Sequence, residues 1–257
     1  MDVTGVVPER RRIDLKGLTS LRALAALLVF GYHMGGASPS RLFGLGYVGV
    51  AFFYVLSGFV LTWGTNPERS PKRFYLRRFA RIFPSHLTVW LAVLLLPMML
   101  PLVSGPRDAE HAVLNLLLLQ GWSWKLSDVF SMNGVTWSLS CEMFFYAIFP
   151  FVFVATRRLS VRAQWIIVIG LFLAAAVIVS IGSFAPENSA LALIAGANPL
   201  VRAPEFLLGA VGARTMQAGH RLSTRHVCLV LVFAVTGATF VHGSPAMATW
   251  GRRRSSW

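Results

Sequence analysis

The chain has 257 residues, 55% of them hydrophobic and 13% charged, with a mean hydropathy of +0.62. Soluble domains carry roughly a quarter charged residues, so this composition excludes one. Lys and Arg number 24 against 10 Asp and Glu, a net charge of +14, but the bases fall in short clusters between long apolar runs. That pattern is expected of a polytopic membrane protein, and it argues against a nucleic-acid partner.

A membrane-crossing helix needs about 20 mostly apolar residues. In chain order, the candidates begin with residues 18–34, which carry Arg22 and His33. Residues 42–63 follow without a charge, then 83–103 with only His86 near its start. The run 113–119 is too short to span and reads as re-entrant. Residues 134–155 contain Glu142, 165–184 carry no charge, 191–213 hold Arg202 and Glu205, and 226–242 are apolar between two histidines. The expected fold is therefore all-α, a transmembrane helix bundle of about seven spans, in a single domain covering 1–257. Barrel-type alternation does not occur, and backbone groups in lipid must pair within their own segment.

Placing the N-terminus in the cytoplasm puts sixteen Lys and Arg of the connections inside and three outside, a strong positive-inside bias. The first run has some features of a signal peptide, but removing it would upset this bias, so a retained helix is expected. Arg252, Arg253 and Arg254 oppose the rule after seven spans. Either one weak span is miscounted or the chain stops before further helices, and the ending GRRRSSW, without helical logic, reads as a truncated or altered terminus. Cys141 and Cys228 sit in apolar stretches, and neither CxxC nor HExxH occurs, so no disulfide framework or metal site is expected.

Ionisable side chains at membrane depth are costly and commonly functional. Arg22 and His33 are eleven residues apart, close to three turns, so they share a helix face about 16 Å apart along the axis. Snorkelling of Arg22 and an interfacial His33 would explain them equally well. Ser138, Glu142 and Tyr146 form a polar i, i+4, i+8 stripe in an apolar segment. A carboxyl there must stay protonated or needs a donor, such as a cation or a histidine on a facing helix. Lys72, Arg73, Arg77, Arg78 and Arg81 form the densest basic segment, read as an inside loop before a span. It suits anionic lipid or, through the guanidinium fork, phosphates. Ser57-Gly58 would let another backbone approach closely, and Phe52, Phe53, Tyr54 and Phe59 read as packing.

Four blocks resemble the acyltransferase-3 family of integral-membrane O-acyltransferases. SLRALAALLVFGYHMGG is similar to the family's opening helix, with an arginine, ten residues and a histidine, here Arg22 and His33. GVAFFYVLSGF (49–59), FYLRRFARIFP (74–84) and TWSLSCEMFFYAIFP (136–150) follow in the family's order, and PEFLLGAVGAR resembles a weaker segment. Two departures stand out: Ala51 replaces a residue that is commonly aspartate, and the family has about ten spans.

The resemblance implies an enzyme that takes an acyl group, most often acetyl, from acyl-CoA on the cytoplasmic side of the cell membrane. The acceptor would be a hydroxyl of a glycan or lipid-linked sugar. Acyl-CoA is then a substrate, and no bound cofactor is implied. His33 would be the base or a transient acyl carrier, and Glu142 would orient it. Arg22 would polarise the donor, while Arg77, Arg78 and Arg81, with Ser57 nearby, would hold the donor's phosphates. A proton-coupled transporter lined by Arg22, His33 and Glu142 is the alternative, although the halves show no self-similarity of the kind inverted repeats would leave.

Overall fold

Apolar runs that long cannot stay extended in lipid, and a computed structural model shows them as helices. The structure describes residues 16–34, 46–65, 70–99, 108–184 and 196–220. Among the described residues six long helices carry the fold: α1 (Lys16–Met34), α2 (Gly46–Gly64), α3 (Pro71–Met99), α6 (Trp137–Arg158), α7 (Val161–Ser183) and α8 (Pro199–Gln217). Two short helices, α4 (Ala109–Leu116) and α5 (Leu126–Val129), lie in the connection between α3 and α6 with a 3-10 turn at Gln120–Trp122. No strand occurs among the described residues. The expected helix over 226–242 lies outside them.

Among the described residues three helices are long and apolar enough to cross a membrane, Pro71–Leu96, Trp137–Arg158 and Val161–Gly182, and Ser20–Gly31 and Val48–Gly64 are shorter apolar helices. Several helices of this length and hydropathy make this a multi-pass membrane protein. Leu27, Phe30, Leu76, Phe151, Ile166 and Leu173 present exposed apolar side chains, as lipid-facing positions should.

One expectation needs correcting. The basic segment 72–81 is not a loop but the first turns of α3, which begins twelve residues before the apolar run that announced it. Pro71 opens this helix, where a missing N–H costs nothing and the fixed φ helps. Polar residues hide the helix from a hydropathy reading, yet their Phe74, Arg78 and Ile82 spacing keeps one face turned inward.

Local signals set the other boundaries. Ser160 caps α7 by accepting a hydrogen bond from the Ala163 amide at 3.2 Å, and Asn198 caps α8 by accepting from the Leu200 amide at 2.9 Å. Such caps satisfy amides that have no partner within the helix. Only Leu159 and Ser160 separate α6 from α7, which makes them antiparallel neighbours.

α8 packs against α2, α6 and α7, and its contact with α2 is the most extensive in the bundle; α1 packs on α2. A Cβ on Gly58 would lie 1.9 Å from the Phe206 carbonyl oxygen, and one on Gly209 would lie 1.8 Å from that of Val55. The two backbones touch, as Ser57-Gly58 led us to expect, because small residues are what allow membrane helices this approach. Around the contact an aromatic core runs from Tyr54 through Phe145 to Phe206, with ring centroids 5.0 Å apart at each step. Ala51 is fully buried, so the apolar replacement in the second block sits in packing.

The connection between α3 and α6 is held by polar contacts. His86 Nε2 lies 3.0 Å from the Asn115 carbonyl, Asn115 Nδ2 donates to Thr136 Oγ1 at 2.9 Å, and Gln120 Nε2 donates to the Thr136 carbonyl at 3.0 Å. Asp128 receives hydrogen bonds from Ser123 at 2.5 Å and Ser127 at 3.1 Å, and His111 Nε2 stands 3.0 Å from its carboxylate.

Burial alone would raise the Asp128 carboxyl, but these three partners outweigh it and hold it below the ordinary 3.8. A carboxyl lowered on folding stabilises in full above its ordinary range, and the contribution disappears as pH falls through the folded value. Asp128→Asn should therefore cost about 1–3 kcal/mol at pH 7. Thermal melts of the two proteins should converge in acid below that range; a constant gap would assign the cost to packing instead.

Candidate functional site

A cavity of about 430 Å³ opens between α1, α2, α3 and α6. Arg22, Ser57, Arg78, Arg81, Glu142 and Tyr146 all line it, so helices far apart in the chain bring these polar side chains to one chamber. Each arrives by helical register. Arg22 and Val29 share a face of α1, while Arg78, Arg81, Ile82 and Ser85 form an inward stripe on α3. Ser138, Glu142 and Tyr146 do the same on α6.

The Tyr146 hydroxyl donates to Glu142 Oε1, one turn away on the same helix, with Ser57 beside it. The donor that Glu142 needs is thus supplied first by its own helix. The Arg78 guanidinium lies 5.6 Å from the centroids of both the Phe74 and Tyr146 rings, a cation–π arrangement that holds it at the chamber wall. Its Nε is buried with no hydrogen-bond partner among the described residues. Three guanidiniums and one carboxylate share the chamber, which leaves it net positive. Such a space suits an anion, or negative charge that develops during a reaction.

The other expected residues are placed differently. Arg77 lines a second, adjoining cavity together with Arg78, whereas Arg81 lines only the first. The three arginines therefore do not form one phosphate site. His33 belongs to α1; its side chain lies outside the described residues.

Two features were not foreseen as parts of the site. Phe53 and Tyr54, read as packing, line the chamber, and the Tyr54 hydroxyl donates to the Ser138 carbonyl at 3.3 Å. Behind Tyr54 lies a buried ion pair, Arg202 Nη1 to Glu205 Oε1 at 2.9 Å. Arg202 also faces the Tyr54 and Trp137 rings at 5.7 and 6.0 Å. The sequence signal was present: opposite charges three apart in an apolar run face each other on a helix. No group of three His, Cys, Asp or Glu among the described residues could hold a metal ion.

Several known acyltransferases are similar to this chain. The chain is 33% identical over 229 residues to the acyltransferase MdmB of Streptomyces mycarofaciens, covering 81% of this chain and 59% of that protein. It is 29% identical over 147 residues to the peptidoglycan O-acetyltransferase OatA of Listeria monocytogenes, covering 52% and 23%. With the putative peptidoglycan O-acetyltransferase YrhL of Bacillus subtilis it shares 30% identity over 189 residues, covering 65% and 28%. The chain thus spans from about a quarter to three-fifths of the length of these relatives. No solved structure matches it. The acyltransferase-3 family model, described as an acyltransferase domain, matches residues 15–253, and the chain belongs to that family.

Proposed function

We propose that this protein is a membrane O-acyltransferase that moves an acyl group, usually acetyl, from acyl-CoA to a hydroxyl of a glycan or lipid-linked sugar. The observation that carries this reading is the net positive chamber in which Arg22, Arg78 and Arg81 surround the Glu142–Tyr146 pair. The family's O-acetyltransferases support the reaction class, and the two peptidoglycan O-acetyltransferase names support a glycan acceptor.

In this scheme the acceptor oxygen attacks the thioester carbonyl while His33 takes the hydroxyl proton. An imidazole suits this role because its pKa lies near working pH. Guanidiniums stabilise the oxyanion of the tetrahedral intermediate. The C–S bond then breaks, CoA leaves as thiolate, and the proton on His33 passes to it. In the two-step variant His33 carries the acyl group between donor and acceptor. The donor enters from the cytoplasmic face, where the positive-inside count puts the N-terminus and the start of α3.

Full-length protein in proteoliposomes, given radiolabelled acetyl-CoA and a glycan, should label the glycan covalently. His33→Ala should abolish labelling without affecting membrane insertion, and full activity in that variant would remove His33 from the mechanism. Solute flux without covalent label would replace the enzyme with a carrier.

A further inference from the structure

The arginine-lined chamber has a neighbour of about 320 Å³ between the end of α2, the start of α3 and the second half of α6. Phe74, Arg77, Arg78, Phe149 and Phe153 line it. Val60, Leu61 and Arg78 belong to both walls. On α3, Pro71, Phe74 and Arg78 face the second chamber, and Arg78, Ile82 and Ser85 face the first. These positions form one stripe at three- and four-residue spacing. The chambers are therefore stacked along the helix, with centres seven residues, or about 10 Å, apart.

The surroundings of the second chamber are cationic. The Arg157 guanidinium lies 5.9 Å over the Phe153 ring. Arg214 Nε donates to the Thr156 carbonyl at 3.2 Å, close enough to Arg157 for the two charges to act on each other. Lys72, Arg73 and Arg158 are exposed nearby along the same helix ends. The described carboxylates lie elsewhere: Asp108, Glu110 and Asp128 in the connection between α3 and α6, and Glu142 and Glu205 inside the bundle. None is ion-paired with these bases among the described residues. A basic rim with no acidic partner among the described residues, around a pocket lined by aromatic rings, has the chemistry of a nucleotide site: rings for the base and guanidinium forks for phosphates.

We infer that the second chamber is the subsite for the adenosine and phosphate end of the thioester donor. Arg77 and Arg157 take the phosphates, the phenylalanine rings take the base, and the uncharged arm passes Val60, Leu61 and Arg78 into the first chamber. This assignment rests on the acyltransferase reading and adds to it a division of labour. Arg77 and Arg157 recognise the nucleotide, and Arg22 and Arg81 serve the reacting thioester.

The test uses the full chain in phosphatidylcholine nanodiscs. Adenosine 3′,5′-bisphosphate, the probe, should bind the unsubstituted protein and compete with acetyl-CoA. In the Arg77→Gln/Arg157→Gln double variant, the preference for acetyl-CoA over acetyl-pantetheine, which lacks the nucleotide, should fall roughly ten- to a hundredfold. An unchanged preference, or failure of the probe to compete in the unsubstituted protein, overturns the subsite. Probe binding that needs Arg77 and Arg157 in a protein that transfers no acyl group would retain the subsite and sink the enzyme reading. An anionic phospholipid copurifying with the unsubstituted protein and lost from the variant, with no probe binding, would assign the arginines to lipid headgroups and overturn the proposal.

Discussion

Gly58→Ala should leave little or no folded protein. Its methyl group would sit 1.9 Å from the Phe206 carbonyl oxygen and 3.1 Å from the Ala210 amide nitrogen. Backbone atoms cannot rotate away as a side-chain tip can, so α2 and α8 would have to separate along their main contact. The expected loss exceeds the roughly 1–3 kcal/mol of an ordinary overpacked methylene. Gly209→Ala should behave alike, since its Cβ would meet the Val55 carbonyl at 1.8 Å. Gly170→Ala is the control: no atom lies within 4 Å of a Cβ there, and a helical Gly→Ala change is neutral or gains about 0.5–1 kcal/mol. Size-exclusion profiles and thermal midpoints in detergent decide the matter. Equal yields of all three proteins would mean that the helices do not touch at these glycines.

The second large effect belongs to Glu142. Glu142→Gln keeps the size and an acceptor for the Tyr146 hydroxyl but removes the negative charge the chamber holds among three guanidiniums. Acyl transfer should fall about 100- to 1000-fold if that charge positions and balances groups in the reaction. Tyr146→Phe should fall less, because the ring that carries Arg78 remains. Melting temperatures of both variants should stay close to that of the unsubstituted protein, since Glu142 is only half-buried. A Glu142→Gln protein with normal turnover would leave this carboxylate a structural role alone.

Much of this was readable from residue order. The helices follow from apolar runs, since a span needs little besides length and hydropathy. α3 was the exception: its first turns carry Lys72, Arg73, Arg77, Arg78 and Arg81, and hydropathy cannot tell a basic helix end from a basic loop. Arg22, Ser57 and Glu142 stood out as polar residues in apolar blocks, and Arg78 and Arg81 as members of a basic cluster. Their meeting in one chamber was not legible, because helix order fixes neither neighbours nor rotation. The split between Arg77 and Arg81 has the same origin, being decided by what α2 and α6 place against α3. Tyr54 was missed because an aromatic residue in a membrane helix is packing far more often than not.

The Arg202–Glu205 pair has a consequence for how the protein comes to be inserted. α8 brings a cation and an anion to buried positions, and a charge in hydrocarbon is tolerable only with company. Half of that company, Tyr54 and Trp137, belongs to α2 and α6, helices made earlier. During biogenesis α8 is thus a late arrival whose residence in lipid depends on a berth its predecessors have already assembled.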